Sequence, residues 1–228
     1  MTKLKTVSIL SLFVFVFTVI LSGCVNYEQK TKLNADGSGT MTVHYWAKMS
    51  AFSMGTTLGK FEFDESKAKD KYKSGNTEVK SVTVTDKPED DSTKHVTVEL
   101  SFKDITKLSD AKGFDGIKPT WKETSDGMEL KYSVPKDTAN SKQMGASDYK
   151  IIYEFEMPSE VVSTNGQKDG QKVTWTKSLS DLSNDIDMTC VVKKSGGKTC
   201  GIFGIIGATL LIGLAYYTQR NKKRTYSK

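Results

Sequence analysis

An α+β domain, built on an antiparallel sheet of several strands with one or two helices and followed by a C-terminal transmembrane helix, is the fold class that the sequence predicts. Three observations point there: repeated period-two alternation between residues 25 and 192, few helical periods, and an uncharged run of 18 residues near the end. A sandwich or a small open barrel is the alternative packing of the same strands. With 228 residues, 37% hydrophobic and 4 prolines, the chain has material for one globular domain plus appendages.

The first appendage comes at the N-terminus. Lys3 and Lys5 precede the uncharged run Thr6 to Leu21, which stops at Leu21-Ser22-Gly23-Cys24. A basic start, an apolar stretch and small residues before a cut are the features of a secretory signal. The last four residues resemble the bacterial lipobox, and that resemblance implies cleavage before Cys24 and lipidation of its thiol; an uncleaved signal anchor is the alternative. Residues 1–23 are therefore read as a signal peptide and 24–192 as an extracytoplasmic domain. Acyl chains contribute about 0.8 kcal/mol per buried CH₂, enough for two or three to hold a protein on a bilayer.

The strands follow in order. Tyr27 to Leu33 and Thr40 to Lys48 flank Ala35-Asp36-Gly37-Ser38-Gly39 as a hairpin, placing Met41, Val43, Tyr45 and Ala47 on one face and His44 and Trp46 on the other. Glu78 to Thr85 and Lys94 to Phe102 alternate next, with Val96, Val98, Leu100 and Phe102 inward. Met128, Leu130, Tyr132 and Val134 make another strand, as do Tyr149, Ile151, Tyr153, Phe155 and Met157. After turns at Asn165-Gly166 and Asp169-Gly170, Val173, Trp175 and Leu179 continue the pattern, and Ile186, Met188, Cys190 and Val192 close it. Helices are predicted over Asp64 to Ser74, with Ala68 and Tyr72 as an i, i+4 pair, and over Asp104 to Ala111, with Ile105 and Leu108 inward.

Residues 193–199 form a short polar link, 200–217 a transmembrane helix, and 218–228 a basic cytoplasmic tail. Eighteen residues span about 27 Å as a helix, close to a hydrocarbon core of about 30 Å. Tyr216 and Tyr217 suit an interface, and the basic residues beyond them suit the cytoplasmic side. A buried helix of a soluble core is the competing reading, and it must accommodate Gly201, Gly204, Gly207 and Gly213, each at about 1 kcal/mol in water. Gly204 with Ala208, and Thr209 with Gly213, are small-residue pairs suited to helix pairing. The cytoplasmic membrane is favoured, because bacterial outer membranes are crossed by barrels.

Charge excludes one class of partner. The formal net charge is +6, yet seven of the 33 Lys+Arg flank the two apolar runs, leaving 26 against 27 acids between them, a balance of −1. Nucleic acid is not an expected partner; membrane lipids and other envelope proteins are. The two histidines, His44 and His95, fall on polar strand faces without a nucleophile motif, so no catalytic residue is assigned and the domain is read as non-enzymatic. No metal site or cofactor is implied: the three cysteines lack zinc-ligand spacing, and Asn34 to Gly39 starts like a calcium loop but has Tyr45 at the twelfth position. Cys190 and Cys200 either form a disulfide on the exported side or are unrelated thiols. Asp181, Asp185 and Asp187 read as a solvated face, and Trp46 either joins a second small core or faces the bilayer.

The two ends of the exported segment resemble the LppM-like bacterial lipoproteins. The likeness rests on Cys24-Val25-Asn26-Tyr27, the strand into Asp36-Gly37-Ser38-Gly39-Thr40, Phe155-Glu156-Met157-Pro158, Val161-Val162, Asn165-Gly166, Asp169-Gly170 and Val173-Thr174-Trp175. Pro158-Ser159 departs from the Pro-Gly usual there. The resemblance implies an α+β domain with a lipid- or glycolipid-binding role in the envelope, and maps no binding residue.

Overall fold

The fold begins with a hairpin in which β1 (Val25–Leu33) and β2 (Gly39–Lys48) pair antiparallel, Val25 opposite Ala47 and Leu33 opposite Gly39. Its turn is made by Asp36, whose Oδ1 accepts from the Ser38 backbone N at 3.0 Å and Oγ at 2.7 Å, and by Gly37 at φ +85°, a conformation that glycine adopts without steric cost. The computed structural model describes residues 25–52, 56–87, 92–137 and 150–194. Cys24, Cys200, Gly204, Ala208 and the predicted span 200–217 lie outside the described residues. No helix among the described residues is long and apolar enough to cross a membrane.

The next elements are the two-residue strands β3 (Thr57–Leu58) and β4 (Phe61–Glu62), helix α1 (Glu65–Tyr72), and strands β5 (Thr77–Lys87) and β6 (Thr93–Phe102). Asp64 caps α1 by accepting from the Lys67 backbone N at 3.0 Å, and the helix buries Ala68 and Tyr72, the pair its sequence spacing predicts. The predicted helix after Asp104 is a 3-10 run, Ile105–Asp110, that buries Ile105 and Leu108. Then come β7 (Lys118–Glu123), β8 (Met128–Val134), β9 (Lys150–Glu156), β10 (Val161–Thr164), β11 (Gln167–Asp169), β12 (Lys172–Ser178) and β13 (Ile186–Val192).

Strands dominate, and the described helical structure is α1 plus short 3-10 runs. One sheet has seven strands in the order β11-β12-β9-β1-β2-β6-β5, and a second has four in the order β10-β13-β8-β7. The sheet is not purely antiparallel as expected: β1 pairs parallel with β9, Tyr27 opposite Ile151 and Lys32 opposite Glu156. That pairing lets the late strand enter beside the first one, so the hairpin sits in the middle of the sheet. Leu179 does not prolong β12; it opens a 3-10 turn, Leu179–Ser183.

One apolar core joins the layers. Leu130, Tyr132, Met188 and Cys190 of the small sheet are fully buried, and the Tyr132 ring meets Phe155 at 5.3 Å and Tyr153 at 5.8 Å on the large sheet. Elsewhere the same inner face is covered by β4, α1 and the 3-10 runs: Tyr45 packs edge-on against Phe63 at 5.2 Å, and Tyr72 against Phe114 at 5.2 Å. A buried aromatic ring removes its area from water at about 25 cal/mol per Å², so the Tyr45–Phe63 pair holds the cover to the sheet, while Tyr72–Phe114 joins α1 to the 3-10 run Lys112–Phe114 within the cover.

The chain enters and leaves this domain at opposite ends of the strands. Val25 stands at the Ala47 end of β1, while Lys193 donates its backbone N–H to Glu160 O at 2.9 Å, beyond the end of β9 where Glu156 faces Lys32.

Candidate functional site

With its inner face filled, the large sheet presents its outer face, formed by Glu28, Lys30 and Lys32 of β1, Thr40, Thr42, His44 and Trp46 of β2, and His95, Thr97 and Glu99 of β6. Alternation puts these side chains opposite the buried Val43, Tyr45, Val98 and Leu100. The two histidines, 51 residues apart in sequence, meet here. His44 Nε2 lies 3.0 Å from His95 Nδ1, and His95 Nε2 lies 2.8 Å from Thr93 Oγ1. At the other end, His44 Nδ1 lies 3.7 Å from the Glu28 carboxylate, so the four side chains form one polar chain across three strands. Trp46 lies flat against the pair, its ring 4.7 Å from His44 and 5.7 Å from His95, the latter within 4° of parallel. Partial burial holds the His44 imidazole below its ordinary range, with Glu28 opposing that shift.

Next to the histidines the same face carries a groove of about 470 Å³, with Thr40 and Thr42 of β2 in its floor, Lys30 and Lys32 of β1 with Glu154 and Glu156 of β9 on one side, and Glu99 of β6 with Lys80 of β5 on the other. Two cross-strand ion pairs, Lys32–Glu156 at 2.7 Å and Lys172–Glu154 at 3.1 Å, and one along β1, Lys30–Glu28 at 3.1 Å, organise it. These pairs are exposed, so each adds at most about 1 kcal/mol of stability, and their side chains can turn to a ligand at little cost.

The remaining candidates have structural employment. Asp181 accepts from the Ser178 backbone N at 2.7 Å, Asp185 from Lys136 N at 2.8 Å, and Asp187 from Ser133 Oγ at 2.6 Å, so the three do not converge. Among the described residues no three His, Cys, Asp or Glu side chains come together as a metal centre. Cys190 is buried in the core, where burial pushes its thiol up to about 12. Trp175 is buried against Phe155, whereas Trp121 donates from Nε1 to Ala35 O at 3.1 Å. The groove was not visible in the sequence, because its walls come from strands whose pairing order period-two patterns do not specify; the shared polar face of His44 and Trp46 was its one local sign.

The family model described as the LppM domain matches residues 33–189. Among solved structures, the chain is similar to the folded domain of the LppM protein of Mycobacterium tuberculosis, determined by NMR, at 14% identity and a TM-score of 0.48, over 78% of this chain and 94% of that one. No curated protein matches the sequence.

Proposed function

The chain belongs to the LppM domain family of bacterial lipoproteins, and on that premise we propose that it is a non-enzymatic envelope protein whose ectodomain binds the polar head of a lipid or other amphiphile. The observation that supports this reading is the groove on the outer face of the large sheet. Its volume of about 470 Å³ suits a headgroup, and its three lysines and three glutamates, interleaved across the strands, offer charged donors and acceptors in equal number. That balance favours a zwitterionic or hydroxyl-rich head over a purely anionic one. A lipidated Cys24 and a membrane helix at 200–217 are part of the proposal, since they would keep the domain next to such heads in the cytoplasmic membrane.

The test is extraction of the full chain in mild detergent followed by mass spectrometry of the bound lipid. One lipid class is expected to copurify, falling at least fivefold in the K30E/K32E variant. A protein that carries no lipid, or a variant with an unchanged lipid complement, would sink the reading.

A second reading, a scaffold that recruits other envelope proteins, is favoured by β5. This 11-residue strand is the outer edge of the large sheet, and a long edge offers backbone groups to a partner strand. A photo-crosslinker at Thr83 that traps no protein neighbour in cells would count against it.

A further inference from the structure

We propose that His44 and His95 together form a two-ligand site for one borderline divalent cation of the Cu²⁺, Zn²⁺ and Ni²⁺ class, with water completing its coordination. Imidazole suits these ions, and two imidazoles on neighbouring strands of a rigid sheet bind as a chelate rather than one at a time. His44 Nε2 and His95 Nδ1 face each other across 3.0 Å. Two nitrogens bound to a tetrahedral ion at about 2.0–2.1 Å each stand about 3.3 Å apart, so small ring rotations admit the ion.

The two remaining ring nitrogens already have the outer partners that metal-binding histidines use. Glu28 lies beside His44 Nδ1, and Thr93 Oγ1 lies 2.8 Å from His95 Nε2. Without a cation, His44 Nδ1–H points to Glu28, His44 Nε2 accepts from His95 Nδ1–H, and His95 Nε2 accepts from the Thr93 hydroxyl. With the cation, the His95 proton moves to Nε2 and the Thr93 hydroxyl turns to accept it. Both converging lone pairs then face the ion, and the neutral pair loses no proton. The Thr93 hydroxyl both donates and accepts, so it can serve either tautomer of His95. Trp46, stacked on both rings, holds their planes and supplies an optical reporter. The two-ligand set makes the ion exchangeable, since the described residues bring no third ligand to the pair. The site is independent of the amphiphile reading.

The experiment titrates the full chain, free of affinity tags and in detergent micelles, with Cu²⁺. Indole fluorescence should quench with one equivalent, and the electron paramagnetic resonance spectrum should show coupling to two nitrogens. H44Q and H95Q should each abolish the stoichiometric step with an unchanged circular dichroism spectrum, and T93V should weaken binding roughly tenfold or more. If H95Q fails to fold, H44Q decides alone, because His44 is 27% exposed and its loss leaves the core intact. A wild-type chain that takes up no equivalent, or quenching and nitrogen coupling that survive in H44Q, would overturn the proposal.

Discussion

Asn165 Oδ1 accepts a hydrogen bond from Trp175 Nε1 at 2.7 Å, tying the loop between the two sheets to the largest side chain of β12. The same oxygen accepts from the Thr189 backbone N at 2.9 Å, while Nδ2 donates to Asp187 O at 2.8 Å. One amide therefore satisfies three groups from β12 and β13. Replacement by alanine orphans all three, and N165A is expected to lose about 3 kcal/mol in urea unfolding. A loss under 1 kcal/mol would mean that water replaces the amide. The engaged side chain also predicts that Asn165-Gly166, a labile pair in an open chain, deamidates slowly while the protein is folded, which peptide mapping after storage can check.

Gly166 is fixed by space. A Cβ there would stand 2.6 Å from Trp175 Nε1 and 2.7 Å from Cε2, against a ring that also packs edge-on with Phe155. G166A is expected to cost about 2 kcal/mol and to redshift Trp175 emission. Unchanged stability and emission would show that the loop yields instead.

Gln29 is the polar centre of the core. Its Oε1 accepts from Tyr27 at 3.0 Å and Tyr132 at 3.2 Å, and its Nε2 donates to Thr31 Oγ1 at 3.1 Å. Q29L keeps the volume but strips both phenols of their acceptor, for an expected loss of about 2–3 kcal/mol by chemical denaturation. If Q29L matched the wild type, the phenols must find other partners.

Alkaline pH should unfold the domain cooperatively. Burial pushes the phenols of Tyr45, Tyr72, Tyr132 and Tyr153 well above 10, and the Cys190 thiol up to about 12 from its ordinary 9. In each case the folded state holds its proton where the unfolded state has lost it. Stability is thus full below about pH 9 and falls as pH rises through 9 to 12. Phenolate absorbance should climb steeply and together with the loss of circular dichroism; independent titration near pH 10 would show the rings to be accessible.

Cys190 should resist maleimide in the native protein and react in denaturant. Its pairing with Cys200 is a proposal that the same assay addresses: equal thiol counts in denaturant with and without reductant would remove it.

Legibility followed the local patterns. β2 and β6 alternate cleanly because one face of each is buried, and both were readable to within a residue or two. β7 was not, since Lys-Pro-Thr-Trp-Lys-Glu carries a proline that argues against a strand; it is tolerated because β7 is the edge of the small sheet, where a missing N–H costs nothing. The bulge at Lys80 interrupts the alternation of β5. The parallel pairing of β1 with β9 is set by the closing of a long stretch of chain and leaves no periodic trace. For the same reason the polar faces of His44 and His95 were legible, but not their meeting.

Because Val25 and Lys193 lie at opposite ends of the strands, tension between the termini runs along β1 and not across it. Lys193 follows β13, which belongs to the other sheet, so a pull on both ends passes from β1 to β13 through the packed core between the sheets and not through a backbone ladder that the two strands share.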